Sequence, residues 1–219
     1  MGERIDRVTF DEADFAQFRE RLEQCLAALD ELLDRPGFGI GPSTIGAELE
    51  LFLVDKAGRP IRRNQEVRDA AADPRITLEV DKFNLELNAS PRLLAGRPFT
   101  ALGRELQQLL GRVASAAARY GGRPALVGVL PTLREADLRG DALSAESRYH
   151  ALDAGLRRLR AGDSFRIRIA GADSLQLTSD AVAFEGARTR RFRCTCASIP
   201  PTSPARTTRC NWLPLQCWQ

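Results

Sequence analysis

Glu48 and Glu50 are the first residues in this chain whose type and spacing bear on chemistry. They lie in residues 44–55, where large apolar and β-branched residues alternate with acids and the turn Asp55-Lys56-Ala57-Gly58 closes the run. That pattern predicts a β-strand. Residues two apart in a strand point to the same side, so Glu48 and Glu50 share a face with Gly46, Phe52 and Val54. Ile45, Leu49 and Leu51 take the other. Two like charges on one sheet face repel and lose hydration if that face is covered. Either the face is solvated, or a divalent cation sits between the acids. Hard carboxylate oxygens suit Mg²⁺.

A second alternating segment covers residues 77–88, with Asn84, Glu86 and Asn88 on one face and Leu85 and Leu87 on the other. Paired beside the first strand, it brings a third carboxylate and two amides up to Glu48 and Glu50. The pattern Gly46-x-Glu48-x-Glu50 followed by Glu86-Leu87-Asn88-x-x-Pro91 resembles the second family of glutamate–cysteine ligases, which includes bacterial carboxylate–amine ligases. Gly128-Val129-Leu130-Pro131-Thr132 and then Arg148-Tyr149 follow in that family's order, and the similarity runs from residue 44 to about 185. The resemblance implies an α+β fold: a curved, largely antiparallel sheet of the glutamine-synthetase type flanked by helices, with the active site on its concave face. It implies ATP and Mg²⁺ as cofactors, with Glu48, Glu50 and Glu86 as metal ligands and Asn88 as a cofactor-binding residue. Its substrates would be glutamate or a similar acid and cysteine or a similar amine, and it leaves a homo-oligomer open.

Such a ligase must overcome a specific chemical obstacle. A carboxylate carbon is a poor electrophile, and its oxygen is a poor leaving group. Phosphorylation by ATP gives an acyl phosphate that an amine can attack, and catalysis rests on positioning and charge neutralisation. Arg148 is the catalytic candidate, as a ligand for phosphate or for the substrate carboxylate; an exposed arginine at a helix start is the alternative. His150, the single histidine, has no Ser/Asp or Cys partner set and is expected in a surface or capping role. Gly37-Phe38-Gly39-Ile40-Gly41 lacks the Lys-Ser/Thr of a phosphate loop and reads as a hinge.

These groups must be held by a scaffold that the periodicity outlines. Residues 11–34 form a helix with Phe15, Phe18, Leu22, Cys25, Leu26, Leu29 and Leu33 recurring at three and four, and Cys25 reads as a small buried hydrophobe. A short helix follows near 64–72, then a strand or hairpin over 76–89. Residues 98–120 make a long amphipathic helix stopped by Gly121-Gly122. Residues 124–130 read as an apolar strand, 134–139 as a polar loop, 146–159 as a helix, 165–169 as a strand with Arg166 and Arg168 on one face, and 175–177 as a further short strand. This mixed order without a βαβ repeat is α+β.

Composition limits the alternatives. The chain has 219 residues and a net charge of +3, with no apolar stretch near the ~20 residues of a membrane span. A soluble, cytoplasmic protein is expected. After Glu185 there is no acid, while Arg188, Arg190, Arg191, Arg193, Arg206 and Arg209 add six positive charges. Removing those six from +3 leaves residues 1–185 at −3, so the body carries no basic nucleic-acid face.

Residues 1–185 thus read as the N-terminal part of a ligase catalytic domain, and residues 186–219 as a different kind of sequence. From Ala187 the periodicity is lost, and Arg and Pro accumulate as in a GC-rich gene translated out of register. Codons shifted to begin at the third base permit TSF(P/S)VHLRIDPADFARTYNALQLA from Thr189 onward, a strand, an acidic turn and a helix like those of the family. The tail is therefore expected to be out of frame, irregular and exposed. The competing reading is a genuine tail, with Cys194, Cys196, Cys210 and Cys217 binding zinc or a partner in a non-enzymatic module. Their C-x-C and C-x6-C spacing lacks the paired knuckles of a zinc ribbon.

Overall fold

The computed structural model describes residues 5–38, 40–161, 164–171, 174–179 and 192–197. Among these the elements in chain order are α1 (Glu12–Leu33), β1 (Thr44–Val54), α2 (Asn64–Ala71), β2 (Ile76–Leu78), β3 (Asn84–Leu93), α3 (Pro98–Ala118), β4 (Arg123–Ala125), α4 (Ser147–Leu159), β5 (Phe165–Ala170), β6 (Ser174–Ser179) and β7 (Phe192–Ala197). The fold is α+β. β1 is the central strand of an antiparallel sheet ordered β2-β3-β1-β4, and β7 pairs with β1 on the edge shared with β4. β5 and β6 form a separate hairpin.

Alternation along β1 divides the sheet into two faces, as the sequence predicts. Ile45, Ala47, Leu51 and Leu53, with Leu85, Leu87 and Ala89 of β3, pack under α2 and α3. α3 turns Leu102, Leu106, Leu109, Val113 and Ala117 to this layer. A leucine fully buried in such a layer contributes about 2 kcal/mol. The helix ends where Gly121 adopts φ +70°, and the Gly122 N–H reaches the Ala117 carbonyl at 2.9 Å. Phe52 and Val54 point to the opposite face, where Phe83, Leu130, Ala142 and Leu143 cover one end. The rest of that face carries the acids.

An ion network fastens the helical layer to the strands that bear those acids. Glu105 of α3 is buried and accepts from Arg75 Nη1 at 2.6 Å, Arg92 Nη2 at 2.8 Å and the Ser90 hydroxyl and N–H at 2.7 and 3.0 Å. Arg75 also forks onto Asp73 at 2.8–2.9 Å. Burial alone would push the Glu105 carboxyl up. The bonds from Ser90, Arg92 and Arg75 outweigh it and hold the group at about 2. Asp73 is likewise held at about 2, first of all by Arg75.

Several expectations are corrected. Cys25 is exposed rather than buried, and no residue of α1 is buried. Phe15, Phe18, Leu22, Leu26, Leu29 and Leu33 are 41–63% exposed. An amphipathic period marks the side a helix can bury, not whether anything covers it. The strand expected over 124–130 ends at Ala125, which pairs with Phe52. Continuing it would run along Leu51 to Leu49, where β7 begins at Phe192 opposite Leu49. Residues 134–139 contain a single 3-10 turn, Glu135–Leu138. Within the tail, Phe192–Ala197 form a strand where irregular chain is expected. Backbone pairing to an open strand edge asks little of the side chains, and Phe, Cys and Thr suit a strand. The rest of 186–219, including Cys210 and Cys217, lies outside the described residues, as do the side chains of Cys194 and Cys196.

The depressed Glu105 and Asp73 values give the acid dependence its sign. Their stabilisation is fully present above the ordinary carboxylate range and is lost as pH falls from about 4.5 towards about 2. Glu105→Gln should cost about 2 kcal/mol at pH 7 through the lost charge-assisted bonds. In urea unfolding, the gap between variant and wild type should narrow as pH falls through that window.

Candidate metal centre

The antiparallel register places Glu50 directly opposite Glu86, and Glu86 opposite Thr77 of β2. Glu50, Glu86 and Thr77 therefore form one row across three strands on the face away from α2 and α3. The next row sets Glu48 opposite Asn88. Thr77 Oγ1 lies 3.4 Å from Glu86 Oε1 and accepts from Asn88 Nδ2 at 3.1 Å, so the two rows are bonded to each other.

Glu79, just beyond β2, completes a cluster. One carboxylate oxygen from each of Glu50, Glu79 and Glu86 lies within 4.8 Å of the other two, and all three residues are half-buried. Three carboxylates this close on one face need their charge offset, and a cation between them would do so. Such a set of hard oxygen donors fits Mg²⁺, which is bound through one or two carboxylates together with water and phosphate oxygens. Of the sequence candidates, the structure brings Glu50 and Glu86 into this cluster. It places Glu48 on the same face one row along, outside the group of three.

The turn that carries Glu79 is tightly held. Ser144 Oγ donates to the Glu79 carbonyl, and the Ser144 N–H donates to Val80 O at 2.8 Å. Buried Asn64, at the start of α2, donates through Nδ2 to Ser144 Oγ at 2.7 Å, Asp81 O at 3.0 Å and Asn84 O at 3.2 Å. Ser144 itself is fully buried.

Arg148 opens α4 beside this turn. Its Nη2 donates to Tyr149 Oη at 2.9 Å and to Leu78 O at 3.2 Å, and Tyr149 Oη donates to the same carbonyl at 3.1 Å. Burial pushes the Tyr149 hydroxyl well above its usual value; the Glu79 and Glu86 charges add to this and Arg148 opposes it. The Arg148 guanidinium is thus fixed at the carbonyl of Leu78, the residue before Glu79. Asn88 Nδ2 is committed to Thr77 and, at 3.4 Å, to Arg75 O. His150 is exposed.

Sequence reasoning missed Glu79 and Thr77. Thr77 and Glu79 are two apart, and a hairpin between them and Glu86 carries both onto the face of Glu86. Reading 76–89 as two strands with the parity reset at the Asp81–Phe83 turn would have found them.

The model of glutamate–cysteine ligase family 2 matches residues 44–164, more than half of the chain. The match runs from the first residue of β1 to just before β5 and includes every residue of the cluster. No curated protein matches the chain.

The cluster predicts selective cation binding. Glu50→Gln, Glu79→Gln and Glu86→Gln should each weaken Mn²⁺ binding tenfold or more, read as free Mn²⁺ by electron paramagnetic resonance. The thermal midpoint, measured on the same samples, separates loss of a ligand from loss of the fold.

Proposed function

This chain belongs to glutamate–cysteine ligase family 2, and we propose that it represents the N-terminal part of an ATP-dependent carboxylate–amine ligase domain. The observation that supports this reading is the convergence of Glu50, Glu79 and Glu86 on one face of the sheet within the family-matched stretch. In the proposed reaction a substrate carboxylate oxygen, such as the γ-carboxylate of glutamate, attacks the terminal phosphorus of ATP. The phosphoanhydride bond breaks and ADP leaves, giving an acyl phosphate. The nitrogen of cysteine or a similar amine then attacks the acyl carbon, loses a proton and expels phosphate.

Glu50, Glu79 and Glu86 would hold Mg²⁺, and Glu48 extends the same face with a further carboxylate. The cation would offset phosphate charge, which is the main barrier to bringing two anions together. Arg148 is the proposed partner for a phosphoryl group or the substrate carboxylate, since its planar guanidinium can bind such oxygens in pairs and is anchored at Leu78 O, at the end of the strand that leads to Glu79. Asn88 is the proposed nucleotide contact. The sheet's curvature and its likeness to glutamine synthetase belong to this proposal, as does the identity of acid and amine.

We read residues 186–219 as an out-of-frame tail, on their loss of acids and of periodicity after Glu185. On that reading the rest of the ligase domain's sheet and its further ATP-binding cations would be missing, which would leave the 219-residue chain with little or no ligase activity. The purified chain should release no ADP above background when given ATP, Mg²⁺, glutamate and cysteine; robust release dependent on both amino acids would contradict the truncated reading. Restoring the alternative frame near the codons for Gly186 to Arg188 should give a longer product that forms ADP with an acid and an amine. Glu86→Gln in that product should lower the rate at least a hundredfold. A stop soon after that point in the alternative frame would show the tail to be authentic.

A further inference from the structure

Ser144 occupies a position that ties the acid cluster to the rest of the molecule, through bonds the ligase reading leaves unused. Three successive carbonyls beside the cluster are gripped by one stretch of chain. Leu78 O receives Arg148 and Tyr149, Glu79 O receives the Ser144 hydroxyl, and Val80 O receives the Ser144 N–H. The same turn is bonded from the same side again by Lys82 N–H to Ala142 O at 2.7 Å and by the Asp81–Leu143 bridge. Asn64 Nδ2 reaches Asp81 O, Asn84 O and Ser144 Oγ.

A serine hydroxyl has one proton and two acceptor lone pairs. Its proton goes to Glu79 O and it accepts from the Asn64 amide, so its donor and one acceptor site are both used in a fully buried position. Glu79 differs from Glu50 and Glu86 in lying outside any named strand: its carboxylate accepts from the Val80 N–H at 2.9 Å, and its carbonyl accepts from the Ser144 hydroxyl. Among these bonds, that of the Ser144 hydroxyl is the one made to the Glu79 carbonyl itself. We propose that Ser144, backed by Asn64, is a positioning residue that holds Glu79 in place as a cation ligand. This rests on the ligase reading of the cluster. Groups that orient metal ligands typically govern affinity by ten- to a hundredfold.

The test uses the full 219-residue chain and Mn²⁺ as probe, with binding and thermal midpoint measured on the same samples. Ser144→Ala should weaken Mn²⁺ binding about tenfold, and Ser144→Thr, which keeps the hydroxyl, should restore most of it. Val113→Ala, a core truncation on the far face of the sheet, should lower the midpoint and leave Mn²⁺ affinity within twofold. Asn64→Ala supplies the same reading if Ser144→Ala does not fold, with a weakening of about threefold or more. Unchanged affinity in Ser144→Ala, or in Asn64→Ala, would overturn the positioning role while leaving the cluster intact as a cation site. A wild-type chain that takes up no Mn²⁺ would overturn the cation site and the positioning role together.

Discussion

The antiparallel register between β1 and β3 is the constraint from which the site follows. It sets Glu50 against Glu86 and Glu48 against Asn88, and it sends Leu51, Leu85 and Leu87 into the layer under α2 and α3. A slip of one residue would exchange the two faces, burying carboxylates beneath the helices and exposing leucines. The apolar face therefore enforces the position of the acids. The acids oppose one another electrostatically, and burial on the far side holds them together against that repulsion.

Strand register alone would provide two carboxylates. The third comes from the turn after β2, which has little structure of its own and depends on neighbours at both ends. Asn64 and Ser144, bonded to each other, both grip it, while Arg148 and Tyr149 fix the last carbonyl of β2. Further along, Glu105 fastens α3 to Ser90 and Arg92 of β3 and, through Arg75, to the residues leading into β2. The strands that carry Thr77 and Glu86 are thus tied to the helical layer by charge as well as by packing. A cluster assembled in this way is preorganised, and a cation would meet ligands already gathered.

Much of this arrangement was legible in the residues. Alternation of two is unambiguous in β1 and β3 because leucines on one side contrast with Glu and Asn on the other. α3 was equally clear, with a three-and-four repeat and a glycine stop. Glu79 was harder to see, because the turn at Asp81–Phe83 resets the parity of the alternation, and one period cannot be carried through it. The exposure of α1 was not legible at all. Its Phe15–Leu33 stripe has a helical period, but coverage depends on a second surface that periodicity does not describe. The shortness of β4 has a similar cause, since β7 takes the edge of β1 that β4 would otherwise extend along. The buried partnership of Asn64 with Ser144 spans 80 residues of chain and left no trace in local pattern.

Whether Glu50, Glu79 and Glu86 share one cation is the claim on which the functional reading stands, and a crystal of this chain grown with MnCl₂ tests it directly. Anomalous scattering should place a single Mn²⁺ with a carboxylate oxygen from each of the three residues at about 2.1 Å, within the range expected for octahedral oxygen coordination. A map with no anomalous peak on this face, under conditions where Mn²⁺ exceeds the protein severalfold, would contradict the account. So would a peak bound elsewhere while the three carboxylates turn away from one another into solvent.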